Sequence, residues 1–436
     1  TPLQKKAWFL SAGGVGLDGF DLFIMAVALP VIDQKFGLSA FTMSLVSSAA
    51  ILGAVFGASI GGFLTDKFGR KRLYTWDLVG FVVFAVASGL SWSVASLIAF
   101  RFLLGLAVGA DYPIAASFSA EYLPDEVRGR WLIGGFSFQA YGMMAGAAVG
   151  VLFLYLDQSV EAWRWMLTFG CLPAIAIMIA RRTLPETPSY ANMKARGKAM
   201  PQPSYLELFR KKYLRATVLC AGGWFLLDVM MYGIGLYTPI LLTGMGIGDN
   251  TADWVTRDLQ STEATAALDS LLIIGFWVAI LLVDRVGRLP LQKIGFLGAG
   301  LALILLAVAD LYGDPLWMVL LGYAMFNLLI NAGPNSTTFL IPAEAYPTHM
   351  RATGHGFAAA AGKFGAVLGV FLLPNLKEAI GQTETVMLMG CVGIAGFVLT
   401  RIAGIETREV SIVEKEHVET VALPAPAEAT AVDADV

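Results

Sequence analysis

Asp18, Asp21, Arg101, Asp111, Asp228 and Lys363 are ionisable side chains set within long apolar stretches of the chain. At lipid depth such a charge costs roughly 2.5–3.5 kcal/mol on insertion scales and marks a function by default. In one stretch Trp224, Asp228 and Tyr232 recur every fourth residue, so they share one helix face. That face offers an indole N–H donor, a carboxylate acceptor and a phenol that does either. Lys363, between Gly362 and Phe364, is a cation in an otherwise uncharged stretch, and a small anion would satisfy it. With Tyr112, Gln139 and Asn335 added, donors outnumber acceptors, the balance that suits a compact oxyanion. Each member has a plainer reading when taken alone. Trp224 and Tyr232 fit packing, Gln139 a helix-to-helix hydrogen bond, and Lys363 a structural pair with Asp228. Asn335, which follows Gly333-Pro334, fits the cap of a helix break.

Depth is what joins them. At 1.5 Å per residue from the charged anchors at the span ends, Asp111, Gln139 and Asn335 lie about 14–15 Å deep. By the same measure Asp18 and Lys363 lie near 18 Å and Asp228 near 20 Å. Six polar groups on six spans thus share one level, about half of a hydrocarbon core of roughly 30 Å.

The composition says what carries them. The chain has 436 residues, 57% apolar and only 14% charged, with a mean hydropathy of +0.68; a soluble domain is nearer half apolar and a quarter charged. Helical spans are expected near 8–32, 43–64, 74–92, 94–121, 130–153, 164–182, 214–241, 267–283, 291–310, 315–344, 352–376 and 384–403. The fold class is therefore an all-α polytopic membrane protein with twelve transmembrane helices in two pseudo-symmetric halves of six. Gly53/Gly57 and Gly142/Gly146 have the small-residue spacing that lets membrane helices approach closely. A net charge of −3 without a basic stripe excludes nucleic acid as a partner. Cys171, Cys220 and Cys391 are scattered, and His349 and His355 beside a helix end form no metal motif. The first apolar run carries Asp18 and Asp21 and no small-residue cleavage site, unlike a secretory signal.

Alternate loops collect the basic residues: Lys67 to Arg72, Arg128 and Arg130, Arg181 to Arg215, Arg285 to Lys293, and Arg351. The opposite loops hold little beyond Lys35, Arg257 and Lys377, with acids such as Asp157, Glu161, Asp249, Asp253 and Asp258. The positive-inside rule puts the first set, and both termini, in the cytoplasm of a cell membrane. The chain also repeats itself: Asp66-Lys67-Phe68-Gly69-Arg70 returns as Asp284-Arg285-Val286-Gly287-Arg288, and Glu121 with Arg128 returns as Glu344 with Arg351. The expected organisation is a six-helix half over 1–183, a cytoplasmic linker over 184–213, a second half over 214–406 and a disordered tail over 407–436. Two related halves of this kind place a substrate site at the midplane between them.

Gly62-Phe63-Leu64-Thr65-Asp66-Lys67-Phe68-Gly69-Arg70-Lys71 resembles the signature loop of the major facilitator superfamily. Pro185-Glu186-Thr187-Pro188-Ser189-Tyr190 resembles the segment after the sixth helix in its sugar-porter and phosphate-porter branches. Asp66, Gly69, Arg70, Glu121, Arg128, Asp284, Arg288, Glu344 and Arg351 are read as gating and structural groups that bridge acids and helix ends. Gly109-Ala110-Asp111-Tyr112-Pro113, the Trp224/Asp228/Tyr232 set, Gly333-Pro334-Asn335 and Gly362-Lys363 are similar to motifs of the phosphate:proton symporters, with Ala110 where Gly is usual. The resemblance implies phosphate contacts from Tyr112, Gln139, Trp224, Asp228, Tyr232, Asn335 and Lys363. It implies a proton path through Asp18 or Asp21, Arg101 and Asp111. Asp77 stands at a third-helix acidic position of that path, shallow and with Asp where Glu is common. Arg101, ten residues from Asp111, is not adjacent to it by helical pitch and is free to reach an Asp of the first helix.

The function expected is proton-driven import of inorganic phosphate by alternating access, in a non-enzyme with no metal or cofactor, whose partners are a small anion, protons and the bilayer. A monomer is expected. The alternative is another organic-anion symporter, since Asp18-Gly19-Phe20-Asp21 also resembles the first-helix motif of aromatic-acid:proton symporters. A sugar porter fits less well, because a midplane Lys363 does not suit a neutral sugar and the seventh span lacks the Gln-Leu-Ser motif. A nutrient sensor on this scaffold would carry long cytoplasmic extensions, and an intramembrane enzyme a nucleophile and base at one depth.

Overall fold

Without water, a spanning backbone must satisfy its own hydrogen bonds, so the apolar runs become helices. The computed structural model describes residues 2–187, 190–191, 204–244, 254–313 and 315–407, and among them there is no strand. Pro188, Ser189, Asp249, Asp253 and the tail beyond Thr407 lie outside the described residues, as do the side chains of Arg257 and Asp258.

Twelve long helical elements follow in order: α1 (Pro2–Phe36), α2 (Ala40–Phe68), α3 (Arg70–Gly89), α4 (Val94–Tyr122), α5 (Arg128–Leu156) and α6 (Ala162–Arg181). The second set is α7 (Lys211–Gly244), α8 (Trp254–Val286), α9 (Arg288–Leu311), α10 (Trp317–Ala345), α11 (Arg351–Ile380) and α12 (Gln382–Ala403). Ten have stretches long and apolar enough to cross a membrane; α3 and α8 complete the twelve. Several helices outrun their apolar runs. Most notably, α8 starts at Trp254, well before the expected 267, through the polar sequence Thr256-Arg257-Asp258.

The two halves repeat their packing pair by pair. In the first, α1 lies on α5, α2 on α4, and α3 on α4 and α6; in the second, α7 lies on α11, α8 on α10, and α9 on α10 and α12. Between the halves, α2 meets α11 and α5 meets α8. Glycine allows the closest crossings. A Cβ at Gly53 or Gly57 of α2 would strike the carbonyls of Phe102 and Leu106 in α4, and one at Gly105 or Gly109 those of Ala50 and Ala54.

On the face that carries the repeated loops the halves are tied together. Asp66 accepts from the amides of Ala352 (3.3 Å) and Thr353 (2.7 Å) and from the Thr353 hydroxyl (2.7 Å) at the start of α11. Arg70 pairs with Asp66 and Glu121 (both 3.1 Å) and donates to the Thr348 carbonyl (2.7 Å). Arg351 reaches back to Glu121 at 3.2 Å. In the repeat, Arg288 pairs with Glu344 (2.8 Å) and Asp284 (3.3 Å), and Arg130 of α5 approaches Asp284 at 3.6 Å. Arg128 donates to the carbonyls of Ala120 (3.2 Å) and Leu123 (3.4 Å), capping the end of α4. Gly69 and Gly287 hold φ of 99° and 100° between consecutive helices, a conformation that suits glycine. Glu186 then caps α3 at the Lys71 amide, as Glu406 caps α9 at Arg288 and Leu289. The sequence repeat therefore extends to these two glutamates. On the opposite face, hydrogen bonds from Lys35 and Arg164 hold the Glu161 carboxyl below the usual carboxylate range.

Candidate functional site

Three helix irregularities surround the candidate residues. Pro113 sits inside α4 directly after Asp111-Tyr112, where it lacks the N–H that would bond the Gly109 carbonyl. The regular helix of α5 stops at Phe136 and resumes at Phe138, one residue before Gln139. In α10 a π-helical turn spans Asn331–Asn335 around Gly333-Pro334, the kind of local widening found at functional sites. A Cβ at Gly362 would overlap the Trp224 indole, so glycine there, next to Lys363 in sequence, lets Trp224 pack closely against α11.

These devices bring five helices to one polar cluster. Tyr112 donates to Asp18 Oδ2, and Gln139 Nε2 donates to both Asp18 Oδ2 (3.0 Å) and the Tyr112 hydroxyl (3.0 Å). Lys363 Nζ stands 4.8 Å from the ring centre of Tyr112 and 4.9 Å from that of Tyr232, and donates to the Tyr232 hydroxyl at 2.8 Å. The indole of Trp224 meets the Tyr112 ring edge-on at 6.2 Å. Asp228 Oδ2 is buried with no hydrogen-bond partner. Among the described residues Lys363 has no carboxylate within ion-pair distance, and its hydrogen bond goes to Tyr232. The cluster presents one cation, one unpartnered carboxylate oxygen and several hydroxyl and amide groups, nearly all of it shut from solvent.

Toward the face with the repeated loops, aromatic rings seal the cluster. Phe136 of α5 and Phe339 of α10 stack across the two halves at 4.3 Å and 11°. His355 sits edge-on to Trp224 (5.4 Å) and Phe339 (5.1 Å), its Nε2 against the Phe339 carbonyl.

Four candidates are placed elsewhere. Asn335 donates to Asn331 Oδ1 (2.7 Å) within the π turn and makes no hydrogen bond or ion pair with the other six residues of its set. Asp111 shares a depth with Asp18 but turns toward α6, where Arg181 holds its two oxygens at 2.9 and 3.3 Å. Arg181 also pairs with Asp77 at 3.1 Å. Arg101 meets Asp21 of the first helix in a two-pronged pair of 2.6 and 2.8 Å.

Arg181 is the residue that sequence reasoning missed. As the first of two arginines ending an apolar run, it groups with the loop charges that set topology, yet it is fully buried while Arg182 is exposed. The available signal was charge balance. Asp18, Asp21, Asp77 and Asp111 put four acids in the first half's apolar spans against Arg101 alone, and buried charges need partners.

Residues 7–418 match the family described as sugar (and other) transporters. The putative inorganic phosphate transporter 1-13 of Oryza sativa subsp. japonica is 30% identical over 89% of this chain and 86% of its own length. The low affinity inorganic phosphate transporter 1 of Petunia hybrida is 27% identical over 92% of this chain and 90% of its own. Among solved structures, the proton:xylose symporter XylE of the major facilitator superfamily, bound to 6-bromo-6-deoxy-D-glucose, superposes with a TM-score of 0.80 over 96% of this chain and 99% of that one. At 18% identity that likeness is one of fold.

Proposed function

The chain belongs to the sugar (and other) transporter family of the major facilitator superfamily, and we propose that within it the protein imports inorganic phosphate together with protons. The observation that carries this reading is the pairing of opposites at the polar cluster. Among the described residues, Lys363 is a buried cation whose contacts are the phenols Tyr112 and Tyr232, and Asp228 Oδ2 is a buried acceptor with no hydrogen-bond partner. One ligand that answers both carries negative charge and an O–H on the same small body. Phosphate near neutral pH keeps one or two protons and sulfate keeps none, so a carboxylate that accepts from a P–OH favours the first and repels the second. A site built on such a bond discriminates strongly, because the wrong ligand leaves a buried group unpaired. The names of the relatives point to the same anion.

Trp224 and Tyr232 flank the anion, Lys363 supplies charge, and Tyr112 and Gln139 donate to it once Asp18 releases them. Asn335 reaches it only if the π turn of α10 rearranges. Protons pass through Asp18, Asp21 with its partner Arg101, and Asp111. The halves 1–183 and 214–406, joined by 184–213, rock about this level, and the Asp66 and Arg70 network opens and closes one entrance. We place that entrance and both termini in the cytoplasm, with the protein in the cell membrane, because its loops hold the basic residues.

The test is uptake of radiolabelled phosphate into proteoliposomes under an imposed pH gradient, competed by arsenate, sulfate, benzoate and xylose. Competition by arsenate alone is the expected result. Competition by benzoate or xylose without arsenate would replace phosphate as the substrate.

A further inference from the structure

Arg181 uses its guanidinium completely. Besides Asp77 and Asp111, it donates to the carbonyls of Tyr74 (3.0 Å) and Leu10 (3.3 Å), and it lies over the Tyr74 ring at 3.6 Å. Tyr74 in turn is fixed by the Ser11 hydroxyl at 2.6 Å. The remaining oxygen of Asp77, Oδ1, faces the Leu78 amide at 2.6 Å. A Cβ at Gly14 would collide with both Arg181 and Asp111, so α1 is kept bare where the pair passes.

The charge count is two carboxylates against one guanidinium. Like charges sharing a buried site resist ionising together, and a net charge at lipid depth is costly. One proton makes this cluster neutral, whereas a second would strand the arginine. The groups facing Arg181 are Tyr74 and Asp77 from α3, Asp111 from α4 and, across a gap, Asp18 from α1. Arg182, just beyond the end of α6, is exposed, and among the described residues α5 brings no titratable group against it. The gap is a small cavity whose lining brings Asp18 together with Asp77 and Asp111, alongside Gly14, Leu17 and Val108.

We propose that Arg181 is a positioning residue for coupling: it holds Asp77 and Asp111 as a pair that carries one proton between them, and the cavity exchanges that proton with Asp18. The inference rests on the phosphate and proton reading, whose family resemblance already assigns Asp111 and Asp77 to the proton path, and adds to it the cation that holds the two acids together. The proton binds one carboxylate oxygen of the pair. Its transfer to Asp18 regenerates that carboxylate and makes Asp18 a neutral acid. Neutral Asp18 no longer offsets Lys363 and no longer needs Tyr112 and Gln139 as donors, so both turn to an entering anion. The proton load and the anion site are thereby linked through one side chain.

Asp77→Asn, Arg181→Lys, Arg181→Gln and the double variant Asp77→Asn/Arg181→Gln would be reconstituted, and two rates compared. One is phosphate uptake driven by a pH gradient, and the other is phosphate exchange with no gradient. Wild-type uptake is read first; its absence removes the phosphate reading itself. With wild type active, Asp77→Asn is expected to lower driven uptake by roughly a hundredfold or more, the scale of losing one proton-transfer group, to lower exchange much less, and to flatten the pH profile. Arg181→Gln behaves alike, Arg181→Lys recovers part of the driven uptake, and the double variant, which restores charge balance, exchanges better than Arg181→Gln. Equal losses of uptake and exchange with an unmoved pH profile would overturn the proposal and leave Arg181 a structural residue. If Arg181→Gln does not fold, the isosteric Asp77→Asn decides by the same criterion.

Discussion

Asp228 and Lys363 stand on the packed pair α7 and α11, and their roles separate under substitution. Asn at position 228 keeps the shape, loses the charge and adds an N–H. A hydrogen bond to a charged group is worth about 1.5–3 kcal/mol, so Asp228→Asn should weaken phosphate binding roughly ten- to hundredfold. Sulfate, which has no proton to donate and now meets a donor, should gain. The measurement is competition of phosphate and sulfate for the purified protein, and an unchanged ratio of affinities would remove Asp228 from recognition. At Lys363 only the positive charge is needed to admit an anion, so Lys363→Arg should retain far more uptake than Lys363→Met; equal activity of the two would show that the cation is dispensable. The types and depth of these residues were legible in the sequence because a charge is too costly in an apolar run to sit there without a task. Their partners were not. Helical pitch gives depth and face within one span, and it carries no information on how neighbouring spans are rotated. Asp111 and Asp18 share a level yet face different cations for that reason.

At the scale of elements, α1 and α5 cross where Gly142 meets the Gly16 carbonyl and Gly146 meets that of Phe20. Overfilling a tight contact costs about 1–3 kcal/mol, so Gly142→Ala should lower the melting temperature in detergent. Gly235 in α7 has nothing among the described residues within 4 Å of an added Cβ, and Ala is favoured over Gly in a helix by about 0.8–1.0 kcal/mol. Gly235→Ala should therefore melt no lower than the parent. A Gly142→Ala protein that matches the parent would show that α1 and α5 have room to separate. The glycine spacing was readable in advance because small residues four apart are the means by which membrane helices touch. The position of the helices was readable from apolar length, and the break in α10 from Gly333-Pro334. Two features were not. The interruption at Ser137 has no proline to announce it, and helix α8 runs through polar residues that an apolar count excludes. Hydropathy reports where lipid lies, whereas backbone hydrogen bonding decides how far a helix continues.

For the whole molecule, the repeated loops are equivalent in sequence and unequal in the structure. Asp66 and Arg70 are fully buried, and Asp66 accepts three bonds from the start of α11. Asp284 keeps 23% of its side-chain surface exposed, and its partner across the halves, Arg130, keeps 51%. Exposed pairs contribute about 0–1 kcal/mol, whereas bonds to a buried charge are worth about 1.5–3 kcal/mol each. The closure of this face therefore depends on the first loop far more than on its repeat. Asp66→Asn keeps the contact shape but removes the charge held by the α11 amides, and should raise the population open on this face by roughly tenfold for each 1.4 kcal/mol lost. Asp284→Asn should change it by severalfold at most. Ala140→Cys, one helical turn beyond Phe136 and the Phe136–Phe339 stack, reports the opening when Cys171, Cys220 and Cys391 have been replaced. Its modification by a water-soluble thiol reagent applied to this face should be fastest in Asp66→Asn and close to the parent rate in Asp284→Asn. Equal acceleration in both variants would mean that the two loops share the closure, and that the burial difference between them has no part in setting which way the transporter faces.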